Sequence, residues 1–108
     1  MPDPDFRIAV RSAEGGTRIE LGGELDVATA PQLERRADDV IKGGGDVWLD
    51  CSDLTFADST GLATLTRLAT ALQAQERRLV LTDVRTVVRQ AMDVLRITDV
   101  FELEESEA

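Results

Sequence analysis

The sequence contains no histidine. That removes at one stroke the commonest general base, the commonest zinc ligand and every Ser-His-Asp triad. A Ser-Lys pair has almost nothing to form with, because Lys42 is the only lysine. The single cysteine, Cys51, excludes an internal disulfide and a multi-cysteine metal site. Placed behind "VWLD", it reads as a small buried thiol. No stretch approaches the roughly 18–20 apolar residues of a membrane span, and "MPDPDFRIAV" lacks the basic start and apolar run of a signal peptide. These absences argue against conventional hydrolytic chemistry and membrane insertion. The expectation is a cytoplasmic protein that is not an enzyme and needs no cofactor and no metal.

What is present suits one soluble domain. The 108 residues leave no room for a second core, and 43% hydrophobic with 31% charged residues is globular composition. The net charge of −9 comes from 21 acidic and 12 basic side chains. Such a balance disfavours nucleic acid or an anionic membrane as partner, since both attract basic surfaces. Residues 1–108 are therefore one domain, with an ordered core over about 4–104 and an acidic tail at 105–108. Nothing demands an oligomer, and a monomer is expected.

Periodicity places the elements. "DFRIAVRS" alternates Phe6, Ile8 and Val10 against Arg7 and Arg11, and "TRIELGG" repeats the alternation with Ile19 and Leu21. With "EGG" between them they predict a hairpin. As an edge strand, "DFRIAVRS" carries arginines that discourage strand-to-strand aggregation. Leu33, Ala37, Val40 and Ile41 have the spacing of one helical face, which "KGGGD" ends. "VWLDCS" predicts a short apolar strand. Leu62, Leu65, Ala69 and Leu72 mark a second helix running to about Gln75, and "RRLVLTD" the next strand. Val84, Val87, Val88, Ala91, Met92 and Leu95 mark a third helix, and "DVFELE" a short last strand. The order β-β-α-β-α-β-α-β implies an α/β fold: a mixed, mostly parallel sheet of four to five strands with helices packed over it, opened by an antiparallel hairpin.

"FADSTGLATL" holds the residues of most interest. Asp58 is placed to be the N-cap of the second helix, accepting from first-turn N–H groups. Ser59 then stands at about the first helical position, its hydroxyl outward beyond the end of the preceding strand, where open α/β sheets present their sites. Asp, Ser and Thr also gather at helix starts simply because they cap. The functional alternative is that Ser59 accepts a phosphoryl group, whose charge of about −1.5 to −2 a helix N-terminus stabilises. Gly61 leaves room there for another backbone or a bulky partner. "KGGGD" lacks the Gly-x4-Gly-Lys-Ser/Thr spacing of a phosphate cradle.

"GELDVATAPQLE" followed by "DVWLDCSDLTFADSTGLATL" resembles the STAS domains of bacterial anti-sigma factor antagonists. These segments cover about 32 residues, and the element order matches along nearly the whole chain. "DSTGL" alone would be weak; after a strand and a "DLTF"-like turn the combination is fairly specific. The resemblance implies a STAS fold and a switch protein that binds an anti-sigma factor serine kinase and so releases a sigma factor. It further implies that the kinase phosphorylates Ser59 and that a metal-dependent serine phosphatase reverses the modification. By the same resemblance, Glu24, Leu25 and Asp26 lie beside the acceptor, and with Asp58, Ser59, Thr60, Gly61 and Leu62 they form the partner-binding set. Asp26 reads equally well as a turn residue. Thr60, where many relatives have a second serine, is either a minor acceptor or a residue packing or capping the first turn. Other STAS domains are scaffold components, regulators of anion transporters, or partner subunits of lipid-transport ATPases. The lack of spans excludes the transporter itself, and the partner-subunit role stands as the alternative.

A phosphorelay receiver is the rival from another class, because Asp50 reads as the end of a central strand. Receivers need an acidic pair after the first strand, where this chain has "VRSAEGG", and a lysine after the last, whereas Lys42 precedes the central strand. A nucleotide-binding protein would need a phosphate loop or basic pocket that the sequence does not carry. Acetyl phosphate with magnesium is accordingly expected to leave the protein unlabelled. Incorporation of label at Asp50 would restore the receiver.

Overall fold

The alternating residues at the start of the chain do pair as a hairpin. In the computed structural model, which describes residues 6–106, β1 (Arg7–Ala13) runs antiparallel to β2 (Gly16–Leu25). Ile8 lies opposite Leu21 and Val10 opposite Ile19, so the apolar residues of both strands share one face. The chain continues through α1 (Ala30–Lys42), β3 (Asp46–Ala57), α2 (Ser59–Gln73), β4 (Leu79–Thr82), α3 (Thr86–Val94) and β5 (Glu102–Glu104). The strands stand in chain order, with β2 to β5 parallel. This is the expected mixed, mostly parallel sheet opening with a hairpin, and it has five strands. Residues 4 and 5 of the expected core and 107–108 of the expected tail lie outside the described residues. Within that tail, Ser106 is tied back: its N–H and hydroxyl donate to the two Asp83 carboxylate oxygens at 2.9 and 2.5 Å.

The buried residues of all three helices join Ile19, Leu21, Val47, Leu49, Leu79 and Leu81 in a single core over one sheet face. The other face carries charge. Arg11 donates to Glu20 at 2.6 Å between β1 and β2, Arg18 to Asp50 at 2.7 Å between β2 and β3, and Arg78, just before β4, to Glu102 of β5. Parallel strands are usually covered on both faces; here long charged side chains lie across strands that no helix covers.

Four boundaries differ from expectation. β3 extends to Ala57 instead of ending near Ser52, because its pairing with β2 continues to Leu25 and Ala57, with one extra β3 residue opposite Glu20–Gly22 and another opposite Gly23–Glu24. Its core residues fall at Val47, Leu49 and Cys51, a period of two, and then at Leu54 and Ala57, where the shifts break that period. Asp50 accordingly does not end a strand. It sits mid-strand on the charged face, where burial opposes its ionisation but the Ser52 N–H and hydroxyl and the Arg18 guanidinium outweigh it and hold the carboxyl below its ordinary value. α3 is shorter than its apolar spacing suggests, with Arg85 as an extended N-cap. The last strand is reduced to Glu102–Glu104 because Thr98–Val100 form a 3-10 turn.

α2 ends at Gln73 rather than about Gln75, and the chain reverses through Glu76, whose φ is +58°. This reversal aims Arg77 at the end of α1. Its guanidinium donates to the carbonyls of Val40 at 3.0 Å, Ile41 at 2.9 Å and Gly45 at 2.7 Å, satisfying acceptors that a helix end leaves open. Gly45, at φ +82°, sits so near the Gly15 carbonyl that a Cβ would lie 2.4 Å from it. Arg77→Ala is expected to lower stability by about 2 kcal/mol, read as a shifted midpoint in equilibrium urea unfolding. An unchanged midpoint would mean that water serves those carbonyls equally well.

Candidate functional site

The carboxyl ends of β2 and β3 meet the start of α2, and the site is built from that junction. Asp58, with extended backbone, is the N-cap of α2: its Oδ1 accepts from the Gly61 N–H at 2.8 Å and its carbonyl from the Leu62 N–H at 2.9 Å. Its own N–H donates to the Leu25 carbonyl at 3.1 Å, so the last pairing of β2 with β3 runs straight into the cap. Gly61 is buried against the same residue. A Cβ there would lie 2.5 Å from the Leu25 carbonyl oxygen and 2.7 Å from Leu25 Cγ. The space that glycine leaves is thus filled by another part of this chain, the backbone of Leu25, and is not open to a bulky partner.

Ser59 is the first residue of α2 and is exposed, and its hydroxyl makes no hydrogen bond among the described residues. Thr60 is exposed beside it, so the packing role considered for its side chain is not the one it has. Asp26 follows the turn reading: its Oδ1 accepts from the N–H groups of Ala28 at 3.0 Å and Thr29 at 3.1 Å. The buried Thr29 closes the loop, its hydroxyl accepting from the Asp26 N–H and donating to the Glu24 carbonyl. Asp26 stays half-exposed and Glu24 exposed, so both carboxylates remain at the surface, on the segment that Leu25 ties to Asp58.

Leu25 and Leu62 behave differently from the other members of the expected set. Both are fully buried, so their side chains support the site from beneath. Two residues outside that set are at the surface instead. Val27, in the loop after β2, is 69% exposed, and Phe56, opposite Glu24 at the end of β3, is 42% exposed. Period counting misses Phe56 because the shifts in β3 turn it away from the core, and a lone valine in a loop has no pattern to read. Cys51 is buried. Desolvation first, then the charges of Asp50 and Asp83, push its thiol up to about 12, so it is no nucleophile near neutral pH.

Residues 8–104 match a family model described as "Mlab, STAS domain". The chain belongs to the STAS domain family. Among curated proteins, this STAS domain is 28% identical over 88 residues to the anti-sigma-B factor antagonist of Staphylococcus epidermidis, covering 81% of this chain and 82% of that one. Among solved structures it is similar to an anti-sigma-factor antagonist (STAS) domain protein from Planctomyces limnophilus, with a TM-score of 0.83 and 18% identity over 93% of this chain and 91% of that one. It is also similar to a Bacillus cell fate determinant in its phosphorylated form, with a TM-score of 0.72 and 19% identity over 94% and 91% of the two chains. At those identities the structural likenesses establish the fold. No helix among the described residues is long and apolar enough to cross a membrane.

The junction predicts its own sensitivities. Gly61→Ala should force the Leu25 backbone to move and lower stability by at least about 2 kcal/mol. Asp58→Ala should cost about 1 kcal/mol through the lost cap, and Asp58→Asn almost nothing. Thermal unfolding together with amide chemical shifts of Leu25 and Leu62 checks all three; a Gly61→Ala protein as stable as the wild type would contradict the close contact.

Proposed function

We propose that this STAS domain is an anti-sigma factor antagonist, switched by phosphorylation of Ser59. The observation that carries the reading is the exposed Ser59 at the first position of α2, beyond the end of β3, with the helix start held by Asp58 rather than by the serine. Modification of Ser59 therefore removes no hydrogen bond that holds the fold together. The name of the Staphylococcus relative and the phosphorylated form of the Bacillus neighbour support the same reading.

The partner is an anti-sigma factor with serine kinase activity, and its reaction moves the γ-phosphoryl group of ATP to Ser59. The Ser59 Oγ–P bond forms as the bond from that phosphorus to ADP breaks, and the hydroxyl proton passes to a base that the kinase supplies. The product carries about two negative charges. At about 6 Å from one fixed negative group of the partner, with an effective dielectric of about 20, they repel it by roughly 5 kcal/mol before solvent screening. Even a third of that changes affinity about tenfold. The unmodified form binds, the modified form is released, and a metal-dependent serine phosphatase resets the cycle in the cytoplasm.

Intact-mass spectrometry of the protein from its own cells is expected to show a species about 80 Da heavier, the mass of a phosphoryl group, mapping to Ser59. Against the captured kinase, Ser59→Ala should bind constitutively and Ser59→Asp at least about tenfold more weakly. If both variants bind as the wild type does, the switch is wrong. A single unmodified mass across growth and stress conditions, with capture of a transport ATPase instead, would favour the partner-subunit role.

A further inference from the structure

Of the chain's three phenylalanines and one tryptophan, Phe6 and Phe101 are buried, Trp48 is half-buried, and Phe56 alone is exposed. An isolated exposed apolar residue is ordinary surface. Phe56 is not isolated. β2 and β3 pair Glu24 with Phe56 and Leu25 with Ala57, which sets Phe56 beside the end of β2, two residues before Val27 emerges from the loop. That loop is held in shape by the Asp26–Thr29 hydrogen bonds, so Val27 is presented on a fixed turn. Ser59 follows Phe56 by three residues, across the cap that is itself bonded to Leu25. Two exposed apolar residues thus stand on the two segments that meet at the cap preceding the acceptor serine, and the same two segments carry the carboxylates of Glu24, Asp26 and Asp58.

We propose that Val27 and Phe56 are the apolar anchors on which the Ser59 kinase docks, its complementary surface being an apolar cleft rimmed by basic side chains. The inference rests on the reading of Ser59 as a phosphoacceptor and adds how the acceptor is brought to the kinase. The carboxylates select the rim by charge and steer the encounter. The apolar pair provides most of the binding through water exclusion, as buried aromatic and aliphatic anchors at the centre of an interface do. Both residues lie outside the core, so they are free to serve recognition without a cost in folding.

The test follows incorporation of radioactive phosphate from ATP at Ser59 in an extract of the cells that make the protein. It compares the wild type, Phe56→Ser, Val27→Asp, the double variant Val27→Ser/Phe56→Ser, and Val94→Ser as an exposed control on α3. At low substrate concentration the double variant is expected to be labelled at least about tenfold more slowly than the wild type, and at high concentration to recover the same plateau rate, with Val94→Ser unchanged. Val27→Asp, a loop substitution that leaves the sheet untouched, should show the same loss in part. Equal labelling of wild type and all variants overturns the anchors and leaves the Ser59 reading standing. A double variant slow at every concentration also overturns them, because the defect would then lie in the transfer step. Absence of label on the wild type overturns the reading of Ser59 and the anchors together.

Discussion

The contact on which the site depends is a backbone one: the Leu25 carbonyl, held by the Asp58 N–H and pressed against Gly61. It closes the parallel pairing of β2 with β3 at the point where β3 gives way to α2. Two loops that are distant in sequence are thereby fixed to one another by main chain, which has no rotamers to lose. The geometry of the exposed serine is inherited from that junction. Asp58 holds the first turn, Leu25 and Leu62 fill the space beneath it, and Ser59 is left at the surface with no structural duty.

The proposed switch needs a residue dispensable to the fold, and the division of labour between Asp58 and Ser59 provides one. Were the serine itself the cap, its Oγ would accept from a first-turn N–H, and a phosphoryl group would have to be fitted against that contact. With the aspartate as cap, the added charge meets the positive end of the α2 dipole, which favours an anion. The same dipole and the surface carboxylates of Glu24, Asp26 and Asp58 act in opposite senses on a phosphoryl group at Ser59. In the proposed switch a phosphorylated Ser59 would therefore be tolerated but electrostatically loaded, a suitable state for release from a partner.

The two sides of the sheet serve different ends. One is a conventional apolar core under three helices, and the other is crossed by ion pairs between exposed side chains. Such pairs contribute little to stability individually. Their value is in keeping an open sheet face soluble, and the arginines of β1 do the same for its edge. A chain with a net charge of −9 and eleven arginines can distribute its cations this way and still present an acidic surface around Ser59.

Much of this was legible in the residues themselves. Alternation in β1 and β2 and the helical spacing of Leu33, Ala37 and Val40 are local patterns, and each formed the element it implies. The helix start at "DST" was equally readable, because capping is decided within four residues of chain. What the sequence alone determined, then, was the order of elements, the α/β class and the position of Ser59 at the head of a helix. Tertiary structure decided the rest. The two shifts in β3 disrupt its period, so which of Phe56 and Ala57 faces the core depends on pairing with β2, not on spacing within β3. The occupant of the gap at Gly61 and the burial of Leu25 and Leu62 were likewise settled by contacts between segments far apart in the chain, whereas the turn at Asp26 is closed by residues two and three positions on. Periodicity reports what one strand or helix prefers; a site made where two strands and a helix meet is specified only by their packing.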